Sequence, residues 1–222
     1  KNVDGLFVSK RNPTISLGLQ RILDKFTSIS LNFSYSTPSG YLSDPYKRIP
    51  VDMAPAPVVN LEPENRPDER QIFVFYSEIS RYLENIKAGT HMRYRYFEDS
   101  HDLNGHTLEL EAVKKLGDRW AYSTSYRYYN QNQASFYTPQ IQKFETFMIR
   151  PNSATGPYYS ADHRLSSFDS QTLSLKLSYF LKDDMIIDAG FDRYFTQGKD
   201  GITDQKVYPD ANVFTLGFQW QY

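Results

Sequence analysis

The chain ends in residues 213–222, Val-Phe-Thr-Leu-Gly-Phe-Gln-Trp-Gln-Tyr, in which a bulky apolar residue occupies every second position. The even-numbered members, from Phe214 to Tyr222, would share one face of a β-strand, because successive side chains of a strand point to opposite faces. Five bulky apolar side chains in one row would make an edge strand in water prone to aggregation. The stretch therefore predicts a strand with one apolar face that needs an apolar environment.

Eight segments upstream show the same alternation of apolar and polar residues. Each predicts a strand of about ten residues, whereas strands of soluble proteins most often have about 5–6 residues. The segment 71–83 has apolar residues on both faces, so the sequence does not determine which of its faces is the apolar one. The nine predicted strands lie within residues 15–20, 29–36, 71–83, 86–96, 107–112, 120–129, 172–179, 187–192 and 213–222.

The predicted connections are short at one end of the strands and long at the other. Tight turns fall at 24–26, 84–85, 117–119 and 182–184, and the remaining links are the longer segment 98–105 and three long loops. This asymmetry is typical of outer-membrane β-barrels, whose short turns are periplasmic and whose long loops are extracellular. The long outer loops are expected at about 38–70, 131–167 and 197–212.

The terminal aromatic residue resembles the C-terminal signature of outer-membrane barrel proteins. We therefore expect an all-β, antiparallel transmembrane β-barrel in the outer membrane of a Gram-negative bacterium, with Tyr222 at the periplasmic end. The alternative is a soluble β-sandwich, which also has many alternating strands. Strand length, loop asymmetry and the aromatic terminus favour the barrel.

Composition narrows the class of protein further. The net charge is −1, so nothing in it suggests a nucleic-acid partner. The absence of cysteine excludes disulfides, thiolate metal sites and a cysteine nucleophile. Aromatic residues make up 16% of the chain although the mean hydropathy is −0.60, and no stretch has the roughly 20 apolar residues of a membrane helix. Barrel strands are compatible with that hydropathy, because their inward faces are polar.

Nine strands do not make a complete barrel of the bacterial type, which has an even strand number and both ends in the periplasm. The first predicted strand would begin outside the cell if the last one ends in the periplasm. We therefore expect residues 1–222 to be the C-terminal portion of a single barrel domain, with strands upstream of Lys1. Residues 1–4 lack the pattern of a signal peptide.

Several motifs, in the same order, resemble those of the DUF3570 family, a group of uncharacterised bacterial proteins expected to be outer-membrane barrels. The resemblance extends over most of the chain and implies a longer barrel, since family members have further strands upstream. It implies no established activity and no catalytic residues. The motifs are Gly40–Lys47 (GYLSDPYK), His106–Leu110 (HTLEL), Tyr126–Gln131 (YRYYNQ), Ala134–Tyr137 (ASFY) and Tyr159–Leu165 (YSADHRL).

Charged residues lie on the polar face of several strands, which would line the barrel interior. If the links at 98–105 and 117–119 close tightly, Arg95 faces Glu109, Glu109 faces Arg127 and Arg93 faces Glu111. Such ion pairs would fill a plugged interior or would set the selectivity of a pore, and because paired charges leave little net field the filling role is favoured. The predicted charge ladder comprises Arg93, Arg95, Glu109, Glu111, Arg127, Lys176, Asp188 and Asp192.

The long loop at 38–70 contains seven prolines, which favour extended backbone without sheet hydrogen bonds. We expect an ordered cap over the outer mouth or a constriction inside the barrel; the alternative is disorder. His101, His106 and His163 lie in or beside outer loops and are the weak candidates for a metal site or an Asp–His pair. They lack ligand-like spacing, so we expect no metal, no cofactor and no catalytic residue.

Aromatic residues cluster near both ends of the strands on the apolar face. Tyrosine and tryptophan prefer the interfaces of a membrane, so two girdles in contact with outer-membrane lipid are expected. A sugar-binding platform is the alternative, but outward orientation and clustering at the ends disfavour it. The predicted girdle residues are Tyr94, Tyr96, Trp120, Tyr126, Tyr128, Trp220 and Tyr222.

Three functions fit these expectations. The first is a pore or transport channel for small solutes. The second is a structural or docking subunit of an envelope complex, with a filled interior and loops that bind other envelope proteins. The third and least favoured is a barrel enzyme, since no motif of a known outer-membrane enzyme is present; we expect that the protein is not an enzyme.

Overall fold

The computed structural model describes residues 2–3, 6–7, 9–52, 59–141, 155–182 and 184–220. The main element is one antiparallel sheet of nine strands, each of 10 to 15 residues. Its strands are β1 (Thr14–Asp24), β2 (Thr27–Ser36), β3 (Ile72–Leu83), β4 (Ala88–Asp99), β5 (Asn104–Leu116), β6 (Trp120–Gln131), β7 (Phe168–Lys182), β8 (Met185–Gly198) and β9 (Asp210–Trp220).

Each strand pairs with its neighbours in chain order, from β1 at one edge of the sheet to β9 at the other. A sequential antiparallel sheet of this width has the topology of a barrel wall and differs from a sandwich, in which two sheets pack face to face. Within the described residues the two edge strands do not pair with each other, so the sheet is open.

The register gives the sheet one apolar and one polar face. Ile79 of β3 lies opposite Ile29 and Met92, which places the odd-numbered residues of β3 on the apolar face. The sequence does not determine which residues of β3 lie on which face. The register places Tyr76 and Glu78 on the polar face. Across the next strands the apolar row continues through Leu110, Tyr126 and Leu173.

The apolar face is not covered by protein in the part of the chain that the structure describes. Leu110 on β5 is 47% exposed and Leu175 on β7 is 49% exposed, although both lie on interior strands of the sheet. Leucine side chains at the centre of a sheet are normally buried, because exposing each one to water costs about 1.5–3 kcal/mol. A continuous face of this kind needs another apolar medium.

Tight turns join the strands at one end of the sheet. Two residues link β1 to β2, where the Asp24 carboxylate accepts a hydrogen bond from the Phe26 amide at 2.7 Å. Gly117, with a φ of 66°, opens the turn between β5 and β6. That turn gives the expected pairing of Glu109 with Arg127.

The link between β4 and β5 differs from the expectation. Only residues 100–103 connect the strands, and the Asp99 amide donates to the Leu103 carbonyl at 2.9 Å. The turn is therefore centred on His101, whereas the predicted register required a turn centred one residue later. As a result Arg93, and not Arg95, lies directly opposite Glu109, and the predicted position of Glu111 directly opposite Arg93 is wrong. Arg93 still forms an ion pair with Glu111, diagonally across the two strands.

The longer connections fold together at the opposite end of the sheet. We call residues 37–52, 59–71, 132–141, 155–167 and 199–209 the loop cover. Its segments are joined by backbone bridges, for example between Asn65 and Tyr159 and between Tyr137 and Ser160. It includes a hairpin in which the strand Arg48–Asp52 pairs with Val59–Pro63. Its strand Ser39–Gly40 pairs with Lys10–Arg11. It also contains two 3-10 helices, His163–Leu165 and Gln205–Val207. A further pair, Asn2–Val3 with Leu6–Phe7, lies outside the cover.

The apolar cores of the molecule lie in or against the loop cover. One cluster contains Ile49, Val51, Ile141 and Tyr159. A second contains Leu103, Ala134, Tyr137 and Leu165, and it packs against Phe97 of β4. Because Phe97 belongs to the polar face, the cover lies over that face at the long-loop end. Among the described residues, no helix has the length and hydropathy to cross a membrane.

Candidate functional site: the polar face and the loop cover

Arg93 is the centre of a charged cluster on the polar face. Its Nη1 atom lies 2.6 Å from Glu109 Oε1 and 2.8 Å from Glu111 Oε2 on β5. Its Nε atom lies 3.5 Å from Glu78 Oε2 on β3. One guanidinium on β4 therefore faces carboxylates from both neighbouring strands, because Arg93 is directly opposite Glu109 on one side and Glu78 on the other. All four side chains are 23–28% exposed.

Glu78 has the most hydrogen bonds of the three carboxylates. The Tyr76 hydroxyl donates to Oε2 at 2.6 Å, and the Ser80 hydroxyl donates to Oε1 at 2.9 Å. The His91 Nδ1 atom lies 3.1 Å from the same Oε1. These neighbours stabilise the ionised carboxylate, since each hydrogen bond is made to the charged form. Apart from His91, the cluster has three carboxylates and one guanidinium group.

Ser80, His91 and Glu78 are the three residue types of a hydrolytic triad, but their geometry differs from one. In a triad the hydroxyl and the carboxylate contact different nitrogens of the imidazole, which then passes a proton between them. Here the Ser80 hydroxyl and the Glu78 carboxylate both contact Nδ1, at 2.9 Å and 3.1 Å. The arrangement holds the imidazole beside Glu78 and does not activate Ser80.

The predicted charge ladder is only partly assembled. Arg127 lies opposite Glu109 and Arg95 lies opposite Thr107. Among the described residues neither arginine forms an ion pair within 4.0 Å. The guanidinium of Arg95 instead lies 5.7 Å from the centre of the Phe97 ring. The cluster around Arg93 is therefore acidic. Of the two arginines without an ion pair among the described residues, Arg127 is level with Arg93, because both lie opposite Glu109, and Arg95 is two residues nearer the loop cover.

A second, smaller ion pair lies nearer the tight-turn end. Lys176 Nζ on β7 is 3.2 Å from Asp188 Oδ1 on β8, and Ser178 donates to the same oxygen at 2.6 Å. Gln219 of β9 donates to the other oxygen of Asp188 at 3.1 Å. Asp192, the last predicted member of the ladder, lies opposite Val213 and forms no ion pair in the described part of the chain.

Asp162 is the centre of a buried charge network in the loop cover. Its side chain is fully buried, yet Arg66 Nη2 lies 2.9 Å and Arg164 Nη2 lies 2.6 Å from Oδ2. Lys47 Nζ lies 3.5 Å from Oδ1. The network joins three segments that are far apart in the chain. A buried carboxylate without such partners would be strongly unfavourable.

Glu64 extends the same network. Its side chain is 1% exposed, and its Oε1 atom lies 2.7 Å from Arg66 Nε. The Ser160 hydroxyl donates to Oε2, and the Asp44 amide donates to Oε1. Positive and negative side chains balance, since Lys47, Arg66 and Arg164 face Asp44, Glu64 and Asp162. Two of the motifs that resemble the family supply most of these residues.

The network shifts the pKa values of the groups within it. Burial alone would raise the pKa of Asp162, but the hydrogen bonds and charges of Arg164 and Arg66 outweigh it and hold the pKa well below its usual value. The pKa of Arg164 is raised by the same contact. Burial lowers the pKa of His163, so its imidazole favours the neutral form.

The three weak metal candidates lie apart from one another. The His101 Nε2 atom donates to the Glu69 carbonyl at 2.9 Å, and His106 Nδ1 lies 2.8 Å from the Tyr94 hydroxyl. His163 packs edge-on against Tyr208 in the loop cover. His106 belongs to β5 and lies on the apolar face, not in a loop. The described residues contain no group of three His, Asp or Glu residues suited to a metal ion.

The predicted girdle residues within the described chain all lie on the apolar face. Trp120 stands next to a tight turn, with its ring 4.5 Å from that of Tyr179. Tyr96 lies at the long-loop end, 5.0 Å from the ring of His106. Tyr94, Tyr126 and Tyr128 lie on the same face as Tyr96, and Trp220 lies opposite Met185 on the edge strand. Tyr222 falls outside the described residues.

Sequence reasoning missed Glu78 and the Arg66–Glu64 part of the loop network. Glu78 was missed because the apolar residues on both faces of β3 hid the phase of that strand. The row of Phe73, Phe75 and Ile79 on the opposite face was its only signal, and Ser77 and Arg81 interrupt that row. Arg66 and Glu64 lie in a proline-rich loop without periodicity, so no pattern in the sequence identifies their partners.

The fold resembles that of solved outer-membrane barrels. A structure titled outer-membrane expressed OmpT of Vibrio cholerae matches 95% of this chain with a TM-score of 0.51 and 9% sequence identity, over 56% of its own length. The in-vitro folded trimer form of the same protein matches 95% of the chain with a TM-score of 0.50 and 8% identity, also over 56% of its length. At such low identity the likeness shows the fold alone.

The chain thus spans just over half the length of the solved structures that it matches. No curated protein matches its sequence at a significant level. The sequence profile of one family, described as "Protein of unknown function (DUF3570)", matches residues 8–222. Because this match covers nearly the whole chain and agrees with the motifs in the loop cover and strands, the chain belongs to the DUF3570 family.

Proposed function

We propose that this protein is part of an outer-membrane β-barrel that lets small solutes pass along its polar face. The observation that carries the proposal is the two-faced sheet, uncovered and apolar on one side and charged on the other. A lipid bilayer supplies the medium that the apolar face needs, and a water-filled interior supplies the one that the charged face needs.

The loop cover supports a restricted passage. It lies over the polar face at one end of the strands, where Thr107, Gln131 and Ser170 are 8%, 4% and 5% exposed. The residues of the Arg93 cluster, further along the strands, keep about a quarter of their surface exposed. A passage would therefore be narrow at the loop cover and wider beside the charged cluster.

The same proposal sets the orientation of the protein. The long-loop end would face the outside of a Gram-negative cell and the tight turns would face the periplasm, as in other barrels of this type. A cysteine introduced at Asp102 should react with a membrane-impermeant maleimide on intact cells, and one at Asp118 should not. Labelling only at Asp118 would show that the protein has the opposite orientation.

Conductance of the full-length protein in a planar bilayer tests the passage directly. Discrete conductance steps are expected from the wild type. Asp162→Asn should give larger steps, because the loop cover loses the charge that holds Arg66 and Arg164. Asp102→Asn, in the exposed turn after β4, should conduct like the wild type. A wild-type protein that folds into the bilayer without conductance would reject the pore.

The alternative is a structural or docking subunit of an envelope complex. It is favoured by the loop cover itself, which has its own apolar clusters and could present a fixed surface to a partner. Purification in mild detergent would then recover a stoichiometric partner, whereas a protein that elutes alone would count against this role. For the polar face we propose no catalytic role, since Ser80 and Glu78 share one imidazole nitrogen.

A further inference from the structure

A cavity of about 240 Å³ lies between the ends of β2 and β3 and the loop cover. Its wall includes Lys10, Arg66 and Arg70 together with the apolar side chains of Leu42, Phe136 and Leu165. No acidic residue is part of this lining among the described residues. We propose that the cavity binds a small organic anion, a carboxylate with a compact apolar body.

The acids that balance the two arginines lie outside the cavity. Arg66 contacts Glu64 and Asp162 through Nε and Nη2. Arg70 contacts Asp99 through Nε and Nη2. The Nη1 groups of Arg66 and Arg70 take part in none of these contacts. Their N–H bonds can therefore donate to another acceptor. An arginine fork held by a carboxylate on one side is a preorganised donor, since its orientation is already fixed.

Lys10 supplies the charge that is not already balanced. It forms no ion pair with the described residues, and its strand is held in place by pairing with Ser39–Gly40. The His101 imidazole also lines the cavity, but its Nε2–H donates to the Glu69 carbonyl. That donor is therefore engaged by the backbone, and recognition of the anion depends on the three basic side chains.

The rest of the wall sets the size and polarity of the ligand. Leu165 is 7% exposed, and Phe136 packs against the apolar cluster that contains Leu165. The volume is below the about 300–1,000 Å³ of sites for drug-sized molecules, so the ligand must be smaller. A lining that combines apolar and cationic side chains favours an aromatic or short aliphatic carboxylate over inorganic anions, which gain nothing from apolar contact.

Calorimetric titration of the full-length protein in detergent micelles tests this site, with benzoate as the test ligand and benzamide as its neutral analogue. Benzoate should bind saturably, and benzamide should bind at least about tenfold more weakly, since a hydrogen bond to a charged group contributes more than one to a neutral group. Lys10→Gln should raise the Kd for benzoate about fivefold.

Lys25→Gln is the matched control, because Lys25 is an exposed lysine at the tight-turn end, far from the loop cover. Its Kd for benzoate should equal that of the wild type. Equal binding of benzamide and benzoate, no binding of benzoate at millimolar concentration, or an unchanged Kd in Lys10→Gln would each overturn the proposal. The binding site stands independently of the passage, so absence of conductance would not affect it.

Discussion

Arg93 illustrates how much one residue can organise on the polar face. It is the only cation within ion-pair distance of Glu109 and Glu111 among the described residues, and it also reaches Glu78. Carboxylates this close repel one another strongly where the protein lowers the dielectric constant. The side chain therefore stabilises the alignment of β3, β4 and β5 as well as setting the charge of the wall.

Arg93→Gln is expected to lower the free energy of unfolding by about 2 kcal/mol, between the values for exposed and for buried ion pairs. The physical reason is that three carboxylates lose their common cation. Urea unfolding of the protein in detergent micelles measures the change. Arg95→Gln on the same strand, which breaks no ion pair, should stay within about 0.5 kcal/mol of the wild type. Equal losses in both variants would contradict the role of Arg93.

Asp162 gives the loop cover a defined dependence on pH. Its pKa is lower in the folded protein than the usual value of 3.8, so its ionised form stabilises the folded cover. That contribution is complete above about pH 4 and is lost as the pH falls towards the lowered pKa. The near-UV circular dichroism of the cover tyrosines should therefore decrease below pH 4.

Asp162→Asn removes this titration and should make the signal less dependent on pH in the same range. The variant should also show a weaker signal at pH 7, because Arg66 and Arg164 lose a charged partner. A wild type and variant with the same acid profile would show that other carboxylates determine the acid stability of the cover.

At the scale of elements, the end of β8 shows how a strand positions the loop cover. A Cβ atom added at Gly198 would lie 2.5 Å from Cε2 of Tyr208. Tyr208 is 5% exposed, and its hydroxyl lies 2.6 Å from the Ser166 hydroxyl. The absence of a side chain at Gly198 thus lets segment 199–209 pack against the residues that precede β7.

Gly198→Ala should displace Tyr208 and destabilise this part of the cover by about 1–3 kcal/mol, the usual cost of overpacking. Hydrogen exchange of residues 199–209, followed by mass spectrometry, should become faster. Gly190→Ala is the control on the same strand, since its Cβ would meet Thr215 at an ordinary 3.6 Å. Unchanged exchange in Gly198→Ala would mean that the tyrosine adapts without loss of packing.

For the whole molecule, the two-faced sheet predicts which side chains tolerate a charge. Leu175 lies at the middle of β7 on the apolar face, and its neighbour Ser174 lies on the polar face. Leu175→Arg should impair folding into lipid vesicles, because an arginine facing the centre of a bilayer costs about 2–4 kcal/mol. Heat-modifiable migration on gels measures the folded fraction.

Ser174→Arg should fold as well as the wild type, since it adds its charge beside Asp192 on the polar face. Equal folding of the two variants in vesicles would contradict a membrane-facing role of the apolar face. In water, by contrast, Leu175→Arg should reduce aggregation, because it interrupts a continuous apolar surface.

The sequence alone determined the strand pattern and the two faces of the sheet. Alternation in residues such as those of 213–222 requires only the two-residue period of a strand, which is local. The same local rule assigned Arg93, Glu109 and Glu111 to the polar face. Gly117 and its neighbours set the β5–β6 turn by backbone preference alone, so the pairing of Glu109 with Arg127 was predictable.

The tertiary structure decided what local rules do not contain. The β4–β5 register depends on which amide and carbonyl close the turn, and Asp99 also binds Arg70 from the loop cover. The position of Glu78 on the polar face follows only from the pairing of Ile79 with apolar residues of both neighbouring strands. The network of Lys47, Arg66 and Asp162 joins residues about a hundred positions apart. Such contacts arise from packing between distant segments, which leaves no period in the sequence.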